Sequence, residues 1–95
     1  MGQHATDVLE RKMVMKKEII INSTQGLHAA LAAKIVQTAS RYDADIKLLY
    51  DDKVIDAKSI LSLISLAIPS GEAITLVVEG KDAEIIIKDI EKLLG

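Results

Sequence analysis

Three consecutive isoleucines, Ile19, Ile20 and Ile21, stand in the segment 17–22 and run into the polar stretch Asn22-Ser23-Thr24-Gln25-Gly26. β-Branched residues closed by turn-forming residues predict a strand. The apolar period then changes: Leu31, Ile35, Val36 and Ala39 recur at helical spacing, and the pattern stops near 41–43. Residues 44–50 alternate, with Ile46, Leu48 and Tyr50 on one face, as a second strand does. Asp51 and Asp52 make a tight turn into a short third strand over 53–57, so the two strands form a hairpin. Ser59 is a natural N-cap for a short helix that is apolar on most sides, carrying Ile60, Leu61, Leu63, Ile64, Leu66 and Ile68. Pro69-Ser70-Gly71 breaks that helix. Ile74, Leu76 and Val78 alternate in a fourth strand over 72–79, and Gly80-Lys81-Asp82 leads into a last helix with Ala83, Ile86, Ile87, Ile90 and Leu94 facing inward.

The order is β-α-β-β-α-β-α. A two-residue connection joins only antiparallel strands, and a single apolar stripe on the first and last helices means each has one side to bury. These features predict an α+β open-faced sandwich: a four-stranded antiparallel sheet with all three helices on one face. Residues 1–16 read as an N-terminal extension, flexible or partly an expression remnant, and residues 17–95 as the folded domain. Met1, Met13 and Met15 are alternative starts, residues 8–12 suffice for one turn of helix, and His4 falls in this extension with no functional part assigned.

Composition narrows the picture further. Ninety-five residues at 49% apolar content support one small core, and with no Trp, no Phe and two Tyr that core must be aliphatic. A formal net charge of −2 gives no reason to expect nucleic acid as a partner. The longest apolar run, Ala29 to Ala33, is far short of the ~20 residues of a membrane span, so no membrane insertion is expected. The absence of cysteine and of a secretory signal fits a cytoplasmic protein.

The chemistry concentrates at His28. It follows the polar turn closed by Gly26 and stands where the first helix begins. A helix N-terminus exposes unpaired N–H groups and the positive end of the macrodipole, and so favours anions. An imidazole there can attack a phosphoryl donor and leave the phosphate among ready donors; the plainer reading is a solvated turn residue or cap. Asp43, Asp45, Asp51 and Asp52 sit at turns without EF-hand spacing, so no metal or other cofactor is expected. Neither paired carboxylates nor a nucleotide-binding loop accompanies His28, which argues against an independent enzyme.

The segments Gly26-Leu27-His28, Val36-Gln37-Thr38-Ala39-Ser40-Arg41-Tyr42-Asp43-Ala44-Asp45, and Ala57-Lys58-Ser59-Ile60 with Ser65-Leu66 resemble HPr. That family comprises the histidine-containing phosphocarriers of the bacterial sugar phosphotransferase system, and the resemblance spans about 17–94. It implies phosphorylation of His28 on Nδ1 by enzyme I and transfer to an enzyme II component. It further implies that Ser59 is a regulatory phosphorylation site for a serine kinase/phosphorylase, with a transcriptional regulator as a further partner. Leu27, Ala30, Leu61 and Ile64 fall at partner-docking positions, and a monomer is expected. The family pattern Gly-Leu/Ile-His-x-Arg-Pro-Ala is broken twice, by Ala30 at the arginine and Leu31 at the proline. Lys34, one turn beyond Ala30, is the nearest stand-in for the lost guanidinium, although as a point charge it positions phosphate less well. The competing reading is a regulatory module switched at Ser59, where phosphate adds about −2 charge beside Leu61 and Ile64.

Overall fold

The computed structural model describes residues 14–95. Its elements are β1 (Val14–Ile20), α1 (Ala29–Ser40), β2 (Asp45–Tyr50), β3 (Lys53–Asp56), α2 (Ile60–Ser65), β4 (Ala73–Glu79) and α3 (Ala83–Leu94). The strands form one sheet in the order β1-β4-β2-β3, with every neighbouring pair antiparallel. β4, the last strand in sequence, lies between the first two, so the two β-α-β halves interleave.

Alternation decides which face the helices cover. Ile19, Ile46, Leu48, Ile74, Leu76 and Val78 are buried, while Glu18, Ile20, Lys47, Thr75 and Val77, between them along the strands, keep solvent exposure. The isoleucine run thus conceals a period of two: Ile19 and Ile21 point inward and Ile20 is 46% exposed. Against the inward face lie Leu31, Ala32, Ile35 and Ala39 of α1, Leu63 of α2, and Ala83, Ile86, Ile87, Ile90 and Leu94 of α3. The last five are the inward set expected for that helix.

Both ends of β1, the end of α2 and the cap of α2 depart from the sequence pattern, each for a local reason. β1 starts at Val14 rather than 17, because Val14, Met15 and Lys16 pair with Glu79, Val78 and Val77 along the full length of β4. The strand ends at Ile20, yet Ile21 and Asn22 are not free: Ile21 N–H donates to Glu72 O (2.9 Å), and Asn22 N–H to Leu94 O (2.8 Å). α2 closes at Ser65, short of Ile68, since Ala67 adopts a left-handed conformation (φ 50°) and donates to Ile64 O. Finally, Ser59 occupies the N-cap position of α2 but does not cap through its side chain; its hydroxyl donates to Ser62 Oγ (2.9 Å). The expected turn of helix at 8–12, His4 and two of the alternative starts, Met1 and Met13, lie outside the described residues.

Both tyrosines close polar links across the fold. Tyr42, just past α1, donates to Asp89 of α3, and Tyr50 at the end of β2 donates to Glu72 before β4 (3.0 Å). Hydrogen bonding to a carboxylate, then desolvation, raises each phenol above its usual 10.0. A group whose folded pKa is raised contributes stability that is fully present below the unfolded value and is lost as pH climbs through the folded one. Stability is therefore expected to fall above about pH 10, and Tyr42→Phe is expected to lower the thermal midpoint at neutral pH while making the alkaline loss shallower. Thermal melts of both proteins across that range check this. An unchanged alkaline slope in Tyr42→Phe contradicts it.

Candidate functional site

The site begins with a glycine that no other residue replaces easily. The turn 23–26 closes with Gly26 N–H on Ser23 O (3.0 Å) and with Gly26 at φ 70°. A Cβ built on Gly26 would lie 2.3 Å from Ile68 O. That close approach lets Leu27 N–H donate to Ile68 O (2.8 Å), tying the turn to the segment that leaves α2. Leu27, expected among the docking residues, is instead buried (4% exposed). It anchors the loop to the core and offers almost nothing to a partner.

His28 comes next and is itself the N-cap of α1, with extended backbone (φ −90°, ψ 174°). Its carbonyl accepts the first helical bond, from Ala32 N–H (2.9 Å), and its Nδ1 accepts from Leu31 N–H (3.4 Å). An Nδ1 acting as acceptor puts the proton of the neutral ring on Nε2. His28 as a residue is half-buried, so part of it stays reachable from solvent. Ala29 and Ala30 N–H have no acceptor among the described residues. No acidic side chain stands in the first turn to offset the positive end of the helix. The site can thus supply a nucleophilic nitrogen beside backbone donors that have no other work.

The remaining sequence-derived positions divide between two places. Ala30 and Lys34 lie on the exposed side of α1, opposite the buried Leu31, Ile35 and Ala39. Lys34 forms no ion pair with any described residue. Ser59 lies at the mouth of α2, held there by Ser59 N–H on Asp56 O (3.0 Å) and by Asp56 Oδ1 accepting from Lys58 N–H (2.9 Å). Leu61 is 78% exposed, and Ile60 and Ile64 show 38% and 37%, an apolar ridge on a helix that packs against α1. Among the described residues, no group of three or more His, Asp or Glu side chains is placed to hold a metal ion, and no helix is long and apolar enough to cross a membrane.

The pattern of neighbours did not reveal one participant, the Leu31 amide. Its role depends on backbone direction at the helix start, which the identity of the side chain at 31 does not convey.

Comparisons with known proteins place this geometry in context. Residues 15–95 match the family described as PTS HPr component phosphorylation site. The chain is 42% identical over 83 residues to the HPr-like protein Crh of Halalkalibacterium halodurans, covering 83% of this chain and 99% of that protein. It is likewise 42% identical over 81 residues to the phosphocarrier protein HPr of Treponema pallidum, covering 85% and 91%. Among solved structures, the phosphocarrier protein HPr from Bacillus anthracis superposes with a TM-score of 0.82 at 38% identity, over 86% of this chain and 98% of that one. The chain belongs to the HPr family of phosphocarrier and HPr-like proteins.

Proposed function

We propose that the protein is a working phosphocarrier of the phosphoenolpyruvate-dependent sugar phosphotransferase system, charged on His28 by enzyme I and discharged onto an enzyme II component. One observation carries this reading: His28 caps α1 with its Nδ1 accepting from Leu31 N–H, at the start of a helix without acidic side chains in its first turn. In the charging step the Nδ1 lone pair attacks phosphorus, the bond from phosphorus to the donor breaks, and its electron pair leaves with the donor. The phosphoryl oxygens then face the unpartnered N–H groups at the helix start. Discharge is the same step with the roles of donor and acceptor exchanged. No chemistry beyond this is required of the chain, which acts as a carrier between two partner phosphotransferases in the cytoplasm. The exposed ridge of Ile60, Leu61 and Ile64 provides the apolar surface for docking them.

A second reading, a regulatory module switched at Ser59, draws on a different observation. The Ser59 hydroxyl is not used as a helix cap, and it opens the same ridge. A phosphate there adds about −2 charge beside surface that is otherwise apolar. Retention of a helix-capping His28 favours the relay as the primary role.

Incubation with enzyme I and phosphoenolpyruvate tests the proposal. The protein is expected to take up one acid-labile, base-stable phosphoryl group, and His28→Ala to take up none while keeping its fold. Label persisting on His28→Ala contradicts the assignment.

A further inference from the structure

Of the five N–H groups from Leu27 to Leu31, the one at Leu31 is the donor to the His28 ring (3.4 Å to Nδ1). Proline in that position, as the family pattern has it, carries no N–H at all. The two departures from the pattern are therefore linked: position 30 has lost a cationic donor and position 31 has gained a neutral one, two and three residues beyond the same imidazole.

Building on the phosphocarrier reading, we propose that the Leu31 backbone N–H is the positioning group that replaces the missing guanidinium. In the uncharged protein it holds the ring with its proton on Nε2 and its lone pair on Nδ1, which is the form that attacks phosphorus. At 3.4 Å this bond is at the long end for N–H donation, so it gives way readily. Once the Nδ1–P bond forms and the donor's bond to phosphorus breaks, the same N–H turns to a phosphoryl oxygen. There it makes a shorter, charge-assisted bond. One backbone group thus serves both the free and the charged state, and it does so without reaching across solvent as Lys34 would have to.

The side chain at 31 is buried (6% exposed) and contributes to the core whichever role the amide has, so the test must separate the two. Phosphoramidate charges histidine without any protein partner; its P–N bond breaks and ammonia departs, so the outcome does not depend on enzyme I. On charging the wild-type protein in this way, the Leu31 amide proton is expected to move downfield in an NMR titration, more than that of a core amide such as Ile35. Leu31→Ala loses the packing and keeps the N–H; Leu31→Pro loses both. At equal phosphoramidate, Leu31→Pro is expected to hold about tenfold less phosphohistidine than Leu31→Ala, the effect of one charged hydrogen bond. Adding Ala30→Arg to Leu31→Pro is expected to restore it. A Leu31 amide that stays in place on charging, or equal occupancy in the two variants, overturns the proposal, as does failure of phosphoramidate to charge His28 at all. Should Leu31→Pro not fold, the wild-type amide shift decides. Charging by phosphoramidate with no charging by enzyme I leaves this inference to the amide shift and removes the relay reading instead.

Discussion

Gly26→Ala is expected to destabilise the domain by about 2–5 kcal/mol. Two independent costs combine. Gly26 sits at φ 70°, where a residue with a Cβ is disfavoured by roughly 1–2 kcal/mol. The added carbon also lies 2.3 Å from Ile68 O and 2.9 Å from Pro69 Cα. Both are backbone atoms, so no side chain can rotate away and the loop itself must move, at a further ~1–3 kcal/mol. Moving it stretches the Leu27–Ile68 hydrogen bond and displaces His28 from the start of α1. Urea unfolding gives the stability loss, and phosphoryl acceptance by whatever fraction stays folded gives the positional effect. A midpoint close to wild type contradicts the close approach at Gly26.

The second large effect runs in the opposite direction. Ala30→Arg is expected to increase the rate of phosphoryl acceptance from enzyme I. Position 30 is exposed in the first turn of α1, so a guanidinium there projects into solvent beside the imidazole without disturbing the core. One charged hydrogen bond realised only as phosphate arrives is worth ~1.5–3 kcal/mol, or roughly ten- to a hundredfold in rate. Lys34→Ala completes the cycle. If Lys34 lends its charge in the native protein, its removal slows acceptance, and it matters much less in the Ala30→Arg background. If the Leu31 amide carries the role alone, Lys34→Ala has little effect in either background. Unchanged rates for both Ala30→Arg and Lys34→Ala exclude cation assistance at this site.

How much of this was legible beforehand depended on which physical signal each feature leaves in the sequence. α3 was the clearest case: Ala83, Ile86, Ile87, Ile90 and Leu94 keep helical spacing and are all buried. The β2–β3 hairpin was nearly as clear, because Asp51 and Asp52 leave room for only one kind of connection, and Asp51 takes the left-handed conformation such a turn uses (φ 58°). The beginning of β1 left little trace. Val14, Lys16, Lys17 and Glu18 are exposed, and their strand character comes from pairing with β4 rather than from burial. The end of α2 was hidden for the converse reason: Leu66 and Ile68 continue the apolar pattern and are buried, but in the segment that leaves the helix.

The site followed the same division. His28 at the helix mouth was readable because a turn-closing glycine precedes it and a helical period follows. The burial of Leu27 was not, since an apolar residue beside a functional one reads equally well as a docking contact. Leucine in place of proline at 31 marks an available N–H, but where that N–H points, and the Ile68 carbonyl that fixes the loop, emerge only from the fold.

A pulse-chase of phosphate through His28 tests the carrier assignment most directly. The protein is charged with radiolabelled phosphoenolpyruvate and enzyme I, separated from both, and then mixed with enzyme II components and their sugar. The account predicts that the acid-labile label leaves His28 and appears on the enzyme II component or the sugar, with none transferred from His28→Ala. Label that never loads, or that loads on His28 and stays there through the chase, contradicts the relay.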